Sequence, residues 1–289
     1  MNLILQGPNL AITQAERIGT LLGASRLMEI GPHAIRLCEV GADAAARDLV
    51  AERCTQDGLD YAFVPPGFRL SDFRVLAMDM DSTLINIECI DEIADAVGVK
   101  PQVAAITEAA MRGEITDFAE SLRRRVALLE GVPANALDGV YADRLRLNPG
   151  AEALIAAAQS FGVKTLLVSG GFTFFTSRLK ARLGLDAAHA NELDIVDGRL
   201  TGRVLGDILD AEAKAAHLRR VCAELGAEPG AHAIAMGDGA NDLRMMGEAA
   251  LSVAYHAKPA VRAAATYALS VSGLDGVLNW FEDTAGSAC

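Results

Sequence analysis

The segment VLAMDMDSTLINIE, from Val75 to Glu88, places two aspartates directly after an apolar run. Asp79 and Asp81 are separated by one residue, and Thr83 follows closely. A carboxylate can attack phosphorus and form an acyl phosphate, which divides one difficult displacement into two easier ones. Two neighbouring carboxylates can take different roles when their surroundings separate their pKa values. Taken alone, the segment leaves open whether these acids do chemistry or merely follow the end of a strand.

Two further predicted strands end in polar residues of a related kind. The run VKTLLV is followed by SGG at 169–171, and HAIAM is followed by GDGAND at 237–242. Each group alone is an ordinary turn former. Ligands of open parallel sheets bind beyond the carboxyl ends of the strands, and all three groups fall at such ends. Together they indicate phosphoryl transfer through an aspartyl intermediate.

A metal ion fits the same interpretation. Mg²⁺ prefers oxygen ligands in an octahedron, usually a few carboxylates, a carbonyl, waters and the phosphate itself. Asp79, Asp81 and Asp238 can supply the protein's share of these ligands. The alternative, a doubly wound domain with only a structural role, requires the three polar strand ends to be a coincidence.

The elements that position these residues alternate between strand and helix. RVLAMDM is a nearly continuous apolar strand of the kind found in sheets covered on both faces. After residue 162, strand-like and helical segments alternate, which predicts an α/β fold with a parallel sheet and right-handed crossovers. The segment from Cys89 to Tyr141 has helical apolar spacing almost throughout. Because it interrupts the alternation after the first strand, we predict an inserted helical cap at about 86–147.

The first 70 residues form a separate predicted unit. Their pattern has the order βαββαβ, which is typical of a ferredoxin-like sandwich. PPG is a strong breaker, and PPGFRLSDF is the predicted linker to a second domain at 71–289.

Composition excludes several classes of protein. The chain has 289 residues, of which 51% are apolar, and a formal charge of -12 from 26 basic and 38 acidic residues. This balance argues against a protein that binds nucleic acid or an anionic membrane. There is no apolar run near 18 residues and no signal-peptide pattern. The five cysteines are scattered without a CxxC motif, which indicates a reduced, cytoplasmic protein without a zinc site.

The chain resembles the haloacid dehalogenase superfamily in four motifs. DMDSTL is similar to the first motif, DxDxT, while VSGGF, Lys214 within AEAKAAH, and GDGANDLRM match the second, third and fourth in order. More narrowly, DSTLINIECIDEIA, FAESLRRRVALL and VSGGF are similar to phosphoserine phosphatases. The resemblance covers about Val75 to Trp280. Met80 stands where many relatives have an aromatic residue, and Arg244 replaces the more usual proline; both lie outside the reacting groups.

The resemblance implies a role for each motif residue. Asp79 would be the nucleophile and a Mg²⁺ ligand. Asp81 would be the general acid and then the base for water, with its backbone carbonyl on the metal. Lys214 would neutralise the phosphoryl charge and hold Asp79 in place. The other strand ends would supply phosphate contacts from Ser169 and Gly170, a metal ligand from Asp238, and support from Asn241 and Asp242.

The resemblance also implies how the cap recognises the substrate. Glu88 would bind an ammonium group and Arg125 a carboxylate, which together suit an amino acid. Met111 and Phe118 would form an apolar wall that excludes water. Without the resemblance, Glu88 is equally an acid of a first helical turn, and the run of arginines at 123–125 is equally a solvated surface.

The implied activity is Mg²⁺-dependent hydrolysis of O-phospho-L-serine to L-serine and phosphate, the last step of L-serine biosynthesis. One alternative is a phosphatase or phosphotransferase for another phospho-amino acid, such as phosphothreonine or phosphohomoserine. Another is a catalytically inert amino-acid-sensing protein, but such a protein should have lost some of Asp79, Asp81, Lys214 or Asp238. In element order the N-terminal unit is similar to ACT-like domains, which implies a regulatory role or a homodimer.

Overall fold

The computed structural model describes residues 1–284, apart from the side chain of Met111, and contains two β-sheets. Cys289 therefore lies outside the described residues. Among the described residues, no helix is both long and apolar enough to cross a membrane.

The N-terminal unit has the predicted order βαββαβ around a four-stranded antiparallel sheet. The strands lie side by side in the order β2-β3-β1-β4, so the ferredoxin-like prediction is confirmed. The second helix begins after Asp43, whose carboxylate accepts the Ala46 N–H at 2.8 Å, as is typical of a helix N-cap. The elements are β1 (Asn2–Gln6), α1 (Ile12–Leu22), β2 (Arg26–Gly31), β3 (Ala34–Cys38), α2 (Ala44–Asp57) and β4 (Asp60–Val64).

The rest of the chain is built on a seven-stranded sheet, as the alternating pattern predicts. Its order is β11-β10-β9-β5-β6-β7-β8, and every neighbouring pair is parallel except the β7–β8 hairpin. The strands are β5 (Val75–Met78), β6 (Lys164–Phe172), β7 (Ala187–Val196), β8 (Arg199–Leu205), β9 (Ala233–Gly237), β10 (Leu251–Tyr255) and β11 (Tyr267–Leu269).

The central strand of this sheet sets the position of the site. Strand β5 pairs with β6 on one side and β9 on the other, and all four of its residues are buried. The carboxyl ends of these three strands therefore lie side by side. They are the three strand ends that carry the DxD, SGG and GDGAND groups.

Helices occupy the remainder of this part of the chain, and four of them form the predicted insertion between β5 and the next core helix. The insertion is not one unbroken helix. The chain leaves the helical conformation at three places, and two of these contain Gly98 and Gly113, which have positive φ angles. The helices of the insertion are α3 (Cys89–Ala96), α4 (Lys100–Met111), α5 (Phe118–Ala127) and α6 (Asn135–Gly139). The core helices are α7 (Ala151–Ser160), α8 (Thr173–Leu183), α9 (Ala211–Glu224), α10 (Pro229–His232), α11 (Leu243–Glu248) and α12 (Pro259–Ala264).

The N-terminal sheet packs directly on the end of the chain. Ile4, Ala62 and Val64 belong to the same buried apolar cluster as Trp280 and Phe281. The predicted linker is also packed and not extended, since Phe68 and Phe73 contact the Phe281 ring with centroids 4.9 and 5.7 Å away.

Polar contacts reinforce this joint between the two sheets. Arg36 is fully buried and donates to the carbonyls of Asn279 and Phe281, both at 3.1 Å. The Asp60 carboxylate accepts three backbone N–H groups, from Ser270 at 2.7 Å, from residue 271 at 3.2 Å and from Ser272 at 2.8 Å. The two units are thus joined by buried contacts of several kinds.

Candidate active site

The loop after β5 carries both aspartates in a tight turn that hydrogen bonds hold at both ends. Asp79 continues the line of the strand, since its N–H donates to the Met236 carbonyl at 3.0 Å. Asn148 fastens the other end by donating to the carbonyls of Thr83 at 2.8 Å and Ile85 at 3.1 Å. The predicted strand RVLAMDM therefore ends at Met78, because the backbone turns away there to present the carboxylates.

Ser82 supplies the sharpest bend of this turn. Its φ of 57° lies in the left-handed region, which is unfavourable for a residue with a Cβ and is typical of functional loops. In this conformation the Ser82 hydroxyl donates to Glu88 Oε1 at 2.6 Å. The loop thus holds the exposed carboxylate of Glu88 in a fixed position relative to Asp81.

Lys214 lies behind Asp79 and pairs with two carboxylates. Its Nζ is 2.7 Å from Asp79 Oδ1 and 2.6 Å from Asp242 Oδ1, and the lysine is 1% exposed. Burial lowers the pKa of Lys214, but the two carboxylates outweigh this effect and raise that pKa above its ordinary value. Helix α9 places the lysine there, beginning after Asp210, whose carboxylate accepts the Ala213 N–H at 2.9 Å. The lysine singled out by motif order thus lies in contact with Asp79, and its role towards phosphate stays a prediction.

Three carboxylates form a compact oxygen cluster at the ends of β5 and β9. Ligand oxygens of Asp79, Asp238 and Asp242 all lie within 4.8 Å of one another. Thr83 Oγ1 donates to Asp238 at 3.2 Å, and the Gly239 N–H donates to Asp242 at 3.0 Å. The Asp81 carboxylate is not a member of this cluster, and its expected contribution was its backbone carbonyl.

The charges of these acids are poorly compensated by protein groups. Burial, and secondly the charge of Asp242, raise the pKa of Asp79 well above its usual range and that of Asp238 to about 7. Burial and the charge of Glu88 raise the pKa of Asp81 to about 8. Oxygen donors with an excess of negative charge suit a divalent cation, so the residues present fit a metal of this class.

The loop after β6 is shaped for an anion. Ser169 is fully buried, and its Oγ accepts the Gly171 N–H at 2.8 Å, which leaves the hydroxyl proton free to donate elsewhere. A Cβ on Gly170 would lie 3.0 Å from the Phe118 ring, so a side chain there would push against the cap. The backbone of this loop can therefore approach a ligand closely.

A cavity of about 140 Å³ lies between these loops and the cap. Eight of the residues singled out from the sequence line it: Asp79, Asp81, Glu88, Phe118, Arg125, Ser169, Gly170 and Asn241. Lys214 is buried behind Asp79, and Asp238 lines a neighbouring cavity. Helix α4 includes Met111, but its side chain is outside what the structure describes, so its predicted contact stays a prediction.

Four lining residues were not singled out as ligand-binding from the sequence: Ile90, Leu122, Gly171 and Phe172. Leu122 could have been found, because it lies four residues after Phe118 and three before Arg125 and so shares their helix face. Gly171 belongs to the recognised SGG group. Ile90 and Phe172 reach the cavity only through the way the cap meets the sheet, which local pattern does not reveal.

Arg125 differs from its two neighbours in the arginine run. Arg123 and Arg124 are exposed, whereas Arg125 lines the cavity and donates from Nε to the Ser121 carbonyl at 3.4 Å. Burial lowers the pKa of Arg125, and the nearby charges of Asp91 and Glu88 oppose that shift. The cavity thus holds one guanidinium beside several carboxylates.

Comparison with known proteins shows the family of this chain. The model of the haloacid dehalogenase-like hydrolase family matches residues 76–247, and that of a domain of unknown function matches residues 3–50. Phosphoserine phosphatase from Polaromonas sp. is 60% identical over 225 residues, which cover 76% of this chain and 95% of that protein.

Two solved structures are similar over most of their length. A probable phosphoserine phosphatase from Vibrio cholerae has a TM-score of 0.83 and 38% identity, covering 98% of this chain and 87% of that one. A phospho-aspartyl intermediate analogue of phosphoserine phosphatase has a TM-score of 0.67 and 37% identity, covering 73% of this chain and 99% of that one. The chain therefore belongs to the haloacid dehalogenase-like hydrolase family and, within it, to the phosphoserine phosphatases.

Proposed function

We propose that this protein hydrolyses O-phospho-L-serine to L-serine and phosphate with Mg²⁺ as its cofactor. The observation that supports the proposal is that one cavity of about 140 Å³ is lined both by Asp79 and the Ser169 loop and by Glu88 and Arg125, which are groups suited to the two ends of such a substrate. Asp79 and the Ser169 loop lie at its phosphate end. Glu88 and Arg125 lie on the cap side. There the negative charge of Glu88 suits the ammonium group of the substrate, and the positive charge of Arg125 suits its carboxylate.

The first half of the reaction breaks the ester bond. Asp79 attacks phosphorus and forms an aspartyl phosphate, while the serine oxygen leaves and takes a proton from Asp81. Burial and the charge of Glu88 raise the pKa of Asp81, which favours the protonated form that a general acid requires. Ser169 and the backbone of Gly170 hold phosphate oxygens, and Lys214 keeps Asp79 in place.

The second half regenerates the enzyme. Asp81, now ionised, takes a proton from water, and the resulting hydroxide attacks phosphorus and releases Asp79 with inorganic phosphate. Mg²⁺, held by Asp79, Asp238 and the Asp81 carbonyl with Asp242 in support, would offset the negative charge of the carboxylates and the phosphate. A structure of a phospho-aspartyl intermediate analogue among the relatives supports this order of events.

Substrate selection follows from the size of the cavity and from its charges. Arg125 offers a planar fork to a carboxylate, and Glu88 accepts the N–H donors of an ammonium group. Phe118 and Leu122 provide the apolar surface beside them. We also infer that the protein acts in the cytoplasm, in the last step of L-serine biosynthesis, because relatives such as the Polaromonas protein are named phosphoserine phosphatase.

The test is phosphate release from a panel of phospho-amino acids, namely phosphoserine, phosphothreonine and phosphohomoserine, each with Mg²⁺ and after chelation. We expect phosphoserine to give the highest kcat/KM, with activity lost on chelation and restored by Mg²⁺ but not by Ca²⁺, which favours looser coordination. A higher kcat/KM for phosphothreonine or phosphohomoserine would replace the proposed substrate. Absence of turnover on every ester would favour an inert sensor.

A further inference from the structure

Asn191 on β7 bridges two segments that both contribute to the phosphate end of the site. Its Nδ2 donates to the Gly170 carbonyl at 2.8 Å, and its Oδ1 accepts the Leu209 N–H at 2.7 Å. The residue is 2% exposed, so both bonds are shielded from water. Hydrogen bonds at both ends of one planar amide fix the distance and angle between the two segments.

The bridge exists because the pairing of β6 with β7 is interrupted at this point. Val168 pairs with His189 and Phe172 pairs with Asn191, so three residues of β6 lie opposite one residue of β7. Such a bulge leaves backbone groups without ladder partners. The side chain of Asn191 supplies a donor for the Gly170 carbonyl, a partly buried acceptor that would otherwise lack its strand partner.

The orientation of this one carbonyl determines that of the Ser169 hydroxyl. The Gly170 carbonyl and the Gly171 N–H belong to the same planar trans peptide unit, so they point in opposite directions. With the carbonyl held by Asn191, the N–H is directed to Ser169 Oγ at 2.8 Å. That bond occupies an acceptor position on the oxygen, and the hydroxyl proton is left to donate to a phosphate oxygen.

The other end of the bridge reaches the segment that leads to Lys214. Leu209 immediately precedes Asp210, which caps α9, and the Lys214 N–H donates to the Asp210 carbonyl at 3.0 Å. Asn191 therefore connects the Ser169 loop to the helix that carries the buried cation of the site.

We propose that Asn191 is a positioning residue for phosphate, holding the Ser169–Gly171 loop in its binding conformation and in register with α9. The inference rests on the proposed function. A carboxylate in its place cannot donate to the Gly170 carbonyl. Asn191→Asp therefore places a carboxylate oxygen opposite the Gly170 carbonyl oxygen, where the two acceptors repel each other, while the side-chain volume hardly changes. Asn191→Ala removes both bonds without adding charge and serves as the second variant.

The experiment measures binding of inorganic phosphate and of L-serine to the Mg²⁺-loaded full chain by isothermal titration calorimetry. We expect both variants to bind phosphate about ten- to a hundredfold more weakly, the range for losing a buried hydrogen bond. Binding of L-serine, which meets Glu88 and Arg125, should change less than threefold. Asn279→Asp is the matched control, since Asn279 donates to Gln6 Oε1 at the joint between the sheets.

Several outcomes overturn the proposal. One is a folded Asn191→Ala or Asn191→Asp variant that binds phosphate like the wild type. Another is equal weakening for phosphate and L-serine, or the same loss in Asn279→Asp, either of which indicates a general structural effect. Failure of both Asn191 variants to fold would also assign the residue to the fold and not to phosphate. The phosphate readout does not depend on which ester is hydrolysed, so it stays distinct from the substrate panel.

Discussion

At the scale of single residues, the site depends on an imbalance between several acids and one buried lysine. Lys214 pairs with Asp79 and Asp242, yet the pKa of Asp79 is still raised by burial and by Asp242. Removing one negative charge from this cluster therefore relieves repulsion. The same removal takes away the oxygen that attacks phosphorus.

We predict that Asp79→Asn lowers kcat for phosphoserine by on the order of 10⁴-fold or more, as loss of a nucleophile does in other covalent enzymes. The free energy of unfolding should stay the same or rise, because a buried carboxylate with a raised pKa is replaced by a neutral amide. Phosphate release and urea unfolding measure the two effects.

Asp48→Asn is the control for Asp79→Asn, since Asp48 is exposed on α2. It should leave activity unchanged. If Asp79→Asn kept activity within tenfold of the wild type, the aspartyl-phosphate mechanism would be wrong.

Arg125 should contribute to substrate choice more than to chemistry. We predict that Arg125→Ala lowers kcat/KM for phosphoserine by a factor that corresponds to about 2–3 kcal/mol. The reason is that a partly buried charged contact to the substrate carboxylate is lost. A phosphate ester without a carboxylate should lose much less. Kinetics on both esters measure the difference.

Arg123→Ala provides the comparison for Arg125→Ala, because it changes an exposed arginine of the same helix. It should be nearly neutral on both esters. An equal loss on both esters in Arg125→Ala would show that this arginine serves the fold or the phosphate.

The candidate site residues could be singled out from the sequence where a short motif contains them, as for Asp79 and Ser169, whereas Lys214 could be singled out only from its order between two motifs. Asn191 could not, because its contact arises from a bulge in the pairing of two strands. Membership of the Asp242 carboxylate in the same oxygen cluster as Asp79 and Asp238 was also not predicted from the sequence. Asp242 was expected only to support the metal, but its side chain lies beside Asp79 because Gly237 permits it: a Cβ there would be 2.4 Å from Asp242 Cβ.

At the scale of elements, alternation and periodicity predicted the largely parallel sheet, the inserted helices and the βαββαβ order of the N-terminal unit. They did not predict the short elements of the C-terminal part, such as β11 and α12, which have three and six residues. Three strand residues and an alanine-rich turn of helix carry too little periodicity to be recognised. The breaks in the cap were likewise underestimated, since a single glycine such as Gly98 ends a helix without disturbing its apolar spacing.

One contact between elements makes stability depend on pH. His189 of β7 and His217 of α9 stack with ring centroids 4.0 Å apart, and Arg220 lies 2.9 and 3.2 Å from their ring nitrogens. Burial, and then the charges of His189 and Arg220, lower the pKa of His217 to about 4. Burial, Arg220 and Lys180 lower the pKa of His189 in the same direction.

The direction in which the free energy of unfolding changes with pH depends on whether the folded or the unfolded chain binds the proton more readily. The unfolded chain protonates His217 near its ordinary pKa, whereas the folded chain resists protonation until about pH 4. The contribution of neutral His217 to the free energy of unfolding is thus fully present above pH 6.5 and declines as the pH falls towards 4. Because the ring is partly exposed, we predict a contribution of only about 1 kcal/mol between pH 7.5 and 5.

Urea unfolding of the wild type and of His217→Gln at pH 7.5 and 5 isolates this effect. The variant should lose less stability on acidification than the wild type. His33→Gln, at an exposed histidine of the N-terminal unit, should behave like the wild type. The same pH dependence in all three proteins would contradict the assignment to His217.

At the scale of the whole molecule, the division at residue 70 into an N-terminal unit and a phosphatase domain stays a prediction. A solved phosphoserine phosphatase that matches 73% of this chain over 99% of its own length supports it. The joint, however, is more extensive than PPGFRLSDF suggested. Sequence patterns could not show this, because Asp60 and Arg36 contact residues more than 200 positions away.

We predict that a chain starting at Ser71 retains Mg²⁺-dependent phosphatase activity but is less stable by at least about 2 kcal/mol. The reason is that the apolar surface covered by Ile4, Ala62 and Val64 becomes exposed to water. The oligomeric state should also change, because similarity to ACT-like domains implies that the N-terminal unit can form a homodimer. Phosphate release, urea unfolding and light scattering of the truncated and full chains measure these effects.

Asp60→Asn in the full chain gives a milder comparison, since it weakens contacts to 270–272 while the unit stays in place. It should reduce stability less than truncation does and leave the oligomeric state unchanged. A soluble, folded truncation without activity would mean that the N-terminal unit completes the active site.

The joint also has a consequence for how the chain is made. The contact of Arg36 with the Phe281 carbonyl spans 245 residues, and at 5–20 residues per second a ribosome needs on the order of 10–50 s to synthesise that interval. Once β4 (Asp60–Val64) has also been made, the N-terminal sheet can form, while the segment of Trp280 and Phe281 that packs against it does not yet exist for most of this time. The N-terminal unit is therefore translated before the phosphatase core yet is completed after it, and its uncovered apolar surface is prone to aggregation during that delay.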